Sequence, residues 1–274
     1  MLEKKYLVPH DFSNVADNAL AHAVKVAETS HSTVILLHVV SKPTAVDEAR
    51  EKLNKLAAEV KDKHKVDIEV LVRIGNIFED IPNVAEEHDV SLIFMGTHGA
   101  TGWQKIVGSD ALKVITNSGA PFVVVQEKGV KENGYDDIVV PLDLDKATKQ
   151  KLVIVADLAK FFNSRIHLVM PQESDEFLVH QLQSNIIFAK KYLTEKGISF
   201  KTKLVDGNFG KDVLRYAAEM DADLIAIMNM QGNRIGGNLL ANSAEQMLIT
   251  NDAEIPVVII NPQSTGNSGS VLFN

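Results

Sequence analysis

KYLVPHDFSNVADNAL (Lys5–Leu20) and DIVVPLDLDKATKQKL (Asp137–Leu152) are two stretches of the chain with the same plan. In each, a short apolar run is followed by Pro-x-Asp and then by a pattern with the spacing of a helix. Asp11 of the first stretch therefore corresponds to Asp143 of the second. The similarity indicates that the sequence contains two related units.

Three further matches follow in the same order along the two halves. They are Gly75-Asn76 with Gly207-Asn208, Val90–Gly96 with Asp223–Asn229, and Pro121 with Pro256. The spacing stays close to about 130 residues throughout, so few insertions separate the halves. We interpret the chain as an ancient duplication, because chance would have to produce every match in the same order.

Apolar runs rich in β-forming residues alternate with longer amphipathic segments in both halves. The predicted strands are Tyr6–Pro9, Thr33–Val40, Ile68–Val72, Val90–Met95, Pro121–Val125, Ile138–Leu142, Ile166–Met170, Phe200–Leu204, Leu224–Met228 and Pro256–Ile260. The predicted helices are Asn14–Thr29, Glu48–Lys63, Lys146–Phe162, Glu176–Glu195, Lys211–Met220 and Ser243–Ile249. This alternation predicts an α/β fold of two tandem, Rossmann-like open-sheet domains. Each domain is expected to be a five-stranded parallel sheet with helices on both faces, since the strands are almost entirely apolar.

Two domains with a connecting segment and a tail account for the whole chain. The predicted boundaries are 1–128 for the first domain, 136–262 for the second and 263–274 for a flexible tail. Glu127–Tyr135 is charged and contains two glycines, which is typical of a linker. The fifth strands, Phe122–Val125 and Val257–Ile260, are apolar edges that could pair the two halves within one chain or serve a homodimer.

The composition excludes several classes of protein. With 274 residues, 45% of them hydrophobic, the chain can bury a core in each half. The net charge of −8 argues against a nucleic-acid partner, which needs a positive face. The absence of cysteine excludes disulfides, thiolate metal sites and a cysteine nucleophile. No apolar run reaches the roughly 18 residues of a membrane span, and we expect a cytoplasmic protein.

The most informative stretch is the glycine-rich segment GTHGATG (Gly96–Gly102), which follows the fourth predicted strand and leads to Gly108-Ser109. Glycines let backbone N–H groups approach a ligand, and the helix predicted to begin at Ser109 presents its positive end to an anion. These are the parts of a phosphate-binding loop. Neither of the two common nucleotide fingerprints, G-x-x-x-x-G-K-[ST] and G-x-G-x-x-G, is present. A crossover loop that needs glycine only for its turns is the alternative.

LVPHDFS after the first strand and MGTHGATG with the later GS resemble the motifs of the ATP-binding universal stress proteins. The resemblance covers both halves, so the chain is similar to a tandem universal stress protein. It implies that Asp11 lies beside the nucleoside and that Val39 lines the adenine pocket. It also implies that Gly96 and Gly99 approach the phosphates or ribose through their backbones, and that Gly108 and Ser109 bind phosphate.

The function implied by the resemblance is a stress-response sensor or regulator that binds ATP, with Mg or Mn on the phosphates, in the first domain. Nucleotide would order the loop and change the surface offered to a protein partner. No residue is evidently placed to activate water, so we expect no enzyme, or at most a slow ATPase. An adenylating ligase is a third hypothesis, but a pyrophosphate-binding signature with catalytic basic residues is not visible.

Two departures from the family pattern favour an alternative, a stress-response scaffold that acts through its dimer surface or another small ligand. Gly99 and Gly108 enclose eight residues instead of nine, and Ala111 stands where a hydroxyl residue is common. The second half departs further, since Asn229 replaces the first loop glycine and Pro171 aligns with Val39. We therefore do not expect an ATP site there, and that half could hold another ligand or support dimerisation.

The nine histidines are scattered along the chain. His10, His38 and His98 follow or end predicted strands, so they could converge, but a polar pocket rim is the favoured interpretation over a metal site. His22 belongs to a second set that is expected to face water on helices or turns. No metal ligand and no catalytic residue is predicted.

Overall fold

The structure is a computed structural model, and the residues that it describes are 4–97, 114–142, 148–229, 248–249 and 251–262. The predicted helix Ser243–Ile249 falls mostly outside these residues, although residues 248–249 are helical. The predicted tail, 263–274, also lies outside them.

The elements alternate between strand and helix along both halves. The first half consists of β1 (Lys5–Pro9), α1 (Asn14–Ser30), β2 (Thr33–Val40), a short 3-10 helix (Pro43–Ala45), α2 (Val46–Lys63), β3 (Ile68–Ile74), α3 (Ile77–Glu87), β4 (Leu92–Gly96) and β5 (Phe122–Val125). The second half consists of β6 (Asp137–Pro141), α4 (Thr148–Phe162), β7 (Arg165–Pro171), α5 (Glu176–Glu195), β8 (Phe200–Val205), α6 (Phe209–Glu219), β9 (Leu224–Met228) and β10 (Val257–Ile260).

All ten strands lie in one sheet of order β3-β2-β1-β4-β5-β10-β9-β6-β7-β8. The five strands of each half are parallel to one another, as predicted. The two halves meet where β5 and β10 pair in antiparallel fashion, with Val124 opposite Val257 and Val123 opposite Val258. The predicted pairing of the fifth strands within one chain is therefore present. Strand order mirrors about this central pair, which is the arrangement expected of a duplicated unit.

Alternate strand residues bury opposite faces of this sheet. On β1, Tyr6 and Val8 pack into one hydrophobic cluster, which also contains residues of α1, α2, α4 and α5. Leu7 of the same strand packs into the other cluster, together with residues of α3 and α6. Helices thus cover both faces, which explains why the strands are almost entirely apolar.

The helix α3 was not among the helices predicted for the first half. Asn76 caps it, since its Oδ1 accepts hydrogen bonds from the backbone N–H groups of Phe78 and Glu79, both at 3.1 Å. Ile81 and Val84 are buried on its inner face. Pro82 stands inside the helix, where it removes one backbone donor and obscures the helical pattern in the sequence. The prediction missed this helix for that reason.

The predicted linker is packed between the two halves. Asn18 of α1 donates through Nδ2 to the carbonyl oxygens of Gln126 and Lys128 at 2.7 and 3.0 Å. On the other side, Lys128 Nζ lies 2.7 Å from Asp221 Oδ1 in the second half. The segment is therefore an ordered strap and not a solvated tether.

Lys131 of the strap also contacts the second half through two ion pairs. Its Nζ lies 2.8 Å from Asp221 Oδ2 and 2.7 Å from Asp223 Oδ1. Asp223 is buried, and its other oxygen accepts from the backbone N–H groups of Asp136 and Asp137 at 2.8 and 2.9 Å. Apart from the Lys131 ammonium, Oδ1 has no hydrogen-bond partner among the described residues, so Lys131 is the group that balances the negative charge on that atom.

The prediction that His22 faces water is wrong, because the strap covers it. His22 is only 1% exposed, and its Nε2 lies 3.1 Å from the carbonyl oxygen of Lys128. That carbonyl can only accept, so the ring proton sits on Nε2 and Nδ1 accepts from the Tyr135 hydroxyl at 2.9 Å. Burial lowers the pKa of His22 to about 4 and raises that of Tyr135. Both groups are therefore neutral at neutral pH.

None of the helices in the described part of the chain is long and apolar enough to cross a membrane.

Candidate functional site

The strand order changes direction next to β1, since β2 lies on one side of it and β4 on the other. Open α/β sheets bind ligands beyond the carboxyl ends of their strands at such a switch point. Asp11 follows β1, Val39 lies near the end of β2, and Gly96 ends β4. The structure thus brings these three predicted site residues to the same edge of the sheet. Gly99, Gly108 and Ser109 lie outside the described residues.

Asp11 is held in a tight turn between β1 and α1. Its Oδ1 accepts from the backbone N–H of Ser13 at 3.1 Å and from the Ser13 hydroxyl at 2.5 Å. Ser13 in turn caps α1, since its Oγ accepts from the backbone N–H of Ala16 at 3.3 Å. Among the described residues, Asp11 Oδ2 makes no hydrogen bond. This half-buried carboxylate therefore keeps one oxygen available to a ligand at the edge of the sheet.

An aromatic cluster surrounds this turn. Phe12 adopts a left-handed φ of 65° and remains 37% exposed. Its ring centroid lies 4.7 Å from that of His38 and 5.6 Å from that of His10. The ammonium group of Lys52 lies 5.6 Å from the Phe12 ring centroid, which is within the range of a cation–π contact. A partly exposed aromatic surface next to a carboxylate suits a planar, polar ligand.

The two histidines at this edge are used as hydrogen-bonding groups of the protein itself. His10 contacts the Phe12 backbone N–H through Nδ1 and the Asp17 carboxylate through Nε2, both at 3.1 Å. His38 Nδ1 donates to the carbonyl oxygen of His10 at 2.6 Å. This arrangement fits a polar rim, and no group of metal-binding side chains occurs among the described residues. His98 lies outside them.

Gly96 has a packing role that the sequence did not reveal. A Cβ atom at this position would lie 2.5 Å from the backbone oxygen of Val15 and 3.0 Å from the backbone nitrogen of Ala16. The first turn of α1 therefore rests directly on the end of β4. This close approach accounts for a glycine here without any ligand, so Gly96 is weaker support for nucleotide binding than the resemblance implies.

The equivalent edge of the second half is occupied by side chains of the protein. Asn229, in the place of Gly96, is buried and donates through Nδ2 to Thr116 Oγ1 at 3.1 Å and to Asn261 Oδ1 at 2.7 Å. Lys151 on α4 is 1% exposed and donates to the carbonyl oxygen of Pro141 at 2.5 Å. The corresponding residue of α1 is the small Ala19. Asp143, the counterpart of Asp11, lies outside the described residues.

A second polar cluster lies at the opposite end of the sheet, where β6 begins. His167 contacts Asp137 Oδ1 through Nε2 at 2.7 Å and the Tyr216 hydroxyl through Nδ1 at 2.8 Å. Burial lowers the pKa of His167 and raises the pKa of Tyr216. The two contacts connect β7 to the start of β6 and to α6.

Two tandem units of the doubly wound type, which share one sheet with a mirrored strand order, define a duplicated α/β protein. Comparison with known proteins agrees with this class. The model of the universal stress protein family matches residues 3–126 and again residues 134–261. The chain belongs to the universal stress protein family and contains two tandem domains of it.

Individual relatives show how the resemblance is distributed. The universal stress protein MJ0577 of Methanocaldococcus jannaschii is 30% identical over the matched region, which covers 47% of this chain and 98% of that protein. A universal stress protein from Archaeoglobus fulgidus has a similar structure over 96% of this chain and 100% of its own, with a TM-score of 0.76 and 17% identity. The first relative thus corresponds to one half of the chain and the second to both halves.

Proposed function

We propose that the first half binds an adenine nucleotide, ATP, and that the protein acts as a stress-response sensor or regulator through nucleotide-dependent interactions. The observation that carries the proposal is the position of Asp11 at the switch point. Its Oδ2 is available while Ser13 fixes Oδ1, so the carboxylate is oriented to accept from the hydroxyl groups of a ribose.

The sequence after β4 supports the phosphate part of the proposal. GTHGATG starts at the strand end beside Asp11, and Gly108-Ser109 follows at the start of a predicted helix. Backbone N–H groups of such a loop would hold the phosphates, and Mg or Mn would share their charge. We propose binding without efficient turnover, because the acid–base groups that the described residues place at this edge are Asp11, which is assigned to the ribose, and histidines already engaged by hydrogen bonds.

One nucleotide per chain is expected. The side chains of Asn229 and Lys151 occupy the corresponding edge of the second half, where the first half has Gly96 and Ala19. We expect the Asn229 side chain at the start of the loop to reduce the space for a phosphate. The second half then serves as the fixed partner of the first.

Titration calorimetry with ATP and Mg tests the proposal on the wild type, on Gly99→Val and on the matched control Gly232→Val in the second half. Binding of one ATP per chain is expected, together with its loss in Gly99→Val and its retention in Gly232→Val. Equal affinity in all three proteins would reject a backbone phosphate site in the first half.

A scaffold that binds no nucleotide is the second candidate function. The packing role of Gly96 and the shortened loop favour it, since both remove part of the support for a phosphate site. The absence of heat with ATP, ADP and AMP in the wild type would select this candidate.

A further inference from the structure

His10 is a buried histidine whose two ring nitrogens have different and fixed roles. It is 2% exposed and lies between β1 and α1. Its Nδ1 faces the backbone N–H of Phe12, which can only donate, so Nδ1 carries no proton. The ring proton is therefore on Nε2, where it is donated to the Asp17 carboxylate at 3.1 Å. The surroundings thus select one neutral tautomer.

This tautomer supports the turn that carries Asp11. The contact from Phe12 to His10 and the contact from Ser13 to Asp11 each join a side chain to the backbone N–H two residues later. Two consecutive contacts of this kind define the path of the backbone from His10 to Ser13. They also accommodate Phe12 in the left-handed region, which costs energy for a residue with a side chain. Without the first contact, the orientation of Asp11 would be less well defined.

We propose that His10 is a positioning residue that holds Asp11 in its nucleoside-binding orientation and makes nucleotide binding by the first half sensitive to acid. The inference rests on the proposed function. A protonated His10 carries hydrogens on both nitrogens, so Nδ1 would point a donor at the Phe12 N–H. The turn must then open, and Asp11 loses its orientation together with it.

The charged groups around His10 determine when this happens. Burial lowers the pKa of His10 and is the largest cause, and the electrostatic effect of His38 on β2 acts in the same direction. The carboxylates of Asp17 on α1 and Asp11 in the turn oppose it. Lys52 on α2 adds a positive charge across the Phe12 ring. The neutral form therefore dominates at neutral pH, and the turn is lost as the pH falls below the usual histidine pKa of about 6.5.

Two substitutions separate positioning from a general structural role. His10→Asn keeps a side-chain oxygen that can accept from the Phe12 N–H and does not titrate between pH 5 and 8. His10→Leu keeps the volume but offers no acceptor. The exposed His31, in a left-handed conformation that asparagine tolerates, provides the matched control His31→Asn.

The experiment measures ATP–Mg affinity by calorimetry from about pH 7.5 to about pH 5.5, a range that spans the usual histidine titration. The wild type and His31→Asn are expected to lose affinity, by less than about tenfold at the acid end because the His10 pKa lies below 6.5, beyond the change shown by His10→Asn. The change in His10→Asn reports the titration of ATP itself. His10→Leu is expected to bind weakly at every pH. Nuclear magnetic resonance of the wild type without nucleotide follows the His10 ring and the Phe12 amide in the same range.

The outcomes distinguish this inference from the proposed function. Identical pH profiles for the wild type and His10→Asn, with binding intact, would overturn the positioning role alone. A Phe12 amide signal that does not change while the His10 ring titrates would also overturn the positioning role. If the wild type binds no ATP at any pH, the proposed function and the inference both fail. Parallel titration of ring and amide, with a flatter affinity profile in His10→Asn, supports the inference.

Discussion

Gln126 and Asn261 occupy equivalent positions, directly after β5 and β10, and each donates its side-chain amide to a backbone carbonyl of the opposite half. Gln126 Nε2 lies 3.1 Å from the oxygen of Asn251, and Asn261 Nδ2 lies 2.8 Å from the oxygen of Ser118. The junction of the halves is therefore held by reciprocal amide contacts at both ends of the antiparallel strand pair. Asn261 also accepts from Asn229, so the junction reaches the edge of the second half.

Asn261→Ala is expected to destabilise the protein by about 2–3 kcal/mol, since it leaves the buried carbonyl groups of Ile115 and Ser118 without this donor and removes one of the acceptors of the Asn229 amide. Urea denaturation at neutral pH measures the loss. Asn117→Ala removes an exposed side chain of the same type nearby and is expected to change the free energy of unfolding by less than about 0.5 kcal/mol. Equal effects of the two substitutions would contradict the role of the junction contact.

Gly96→Ala tests the close approach of α1 to β4. The added Cβ would lie 2.5 Å from the Val15 oxygen, which is backbone and cannot rotate away. The expected loss in the free energy of unfolding is about 1–3 kcal/mol without any nucleotide present. At Gly119 a Cβ would meet nothing within 4 Å, so Gly119→Ala is the control and should be nearly neutral. An unaffected melting temperature in Gly96→Ala would argue that the glycine serves a ligand only.

The buried His22 predicts a loss of stability in acid. Its pKa is lowered from 6.5 to about 4 in the folded protein, so the unfolded chain takes up a proton first as the pH falls. The contribution of neutral His22 to the free energy of unfolding is complete above the pKa of the unfolded chain. It is lost as the pH falls from that pKa to the lower pKa of the folded protein, with about 2 kcal/mol lost from pH 7 to pH 5. Denaturation of the wild type and of His22→Gln at both pH values measures it. The variant should lose about 2 kcal/mol less than the wild type between these pH values, and parallel losses would show that His22 does not contribute.

Lys131→Met tests the strap. It leaves Asp223, whose side chain is 3% exposed, without its cation, although Lys131 itself is 38% exposed and partly screened by water. The expected cost is therefore moderate, about 1–2 kcal/mol. Lys191→Met breaks an exposed pair with Glu195 on α5 and should cost no more than about 0.5 kcal/mol. Similar denaturation midpoints for the two variants would show that the strap contributes little to the junction.

Local patterns in the sequence were sufficient for most of the fold. Every predicted strand lies within two residues of an observed one, because apolar β-forming runs and their turns are short-range signals. The helix α3 was missed, although α6, the equivalent helix of the second half, was predicted. The repeat would have allowed that helix to be assigned to the matching positions of the first half. The position of Asp11, Val39 and Gly96 at one edge of the sheet also agrees with the predicted parallel sheet, because the carboxyl ends of parallel strands lie at the same edge.

Contacts between distant parts of the chain could not be predicted in this way. The segment Glu127–Tyr135 has the composition of a linker, yet its lysines find carboxylates of Asp221 and Asp223 some 90 residues later. His22 is buried only because that segment covers it. The hydrogen bond from Phe12 to His10 likewise depends on a backbone conformation that no spacing in the sequence records.

The antiparallel pairing of β5 with β10 joins two unlike partners in one polypeptide. A pair assembled from identical subunits must carry the same residue on both sides, and it dissociates on dilution. Here the partnership is always one to one, and the local concentration of each half around the other is set by the chain. One copy can therefore keep the small Gly96, while its counterpart in the other copy, Asn229, makes side-chain hydrogen bonds at the junction. Because both copies lie in one polypeptide, each can diverge in sequence while the pairing between them is kept.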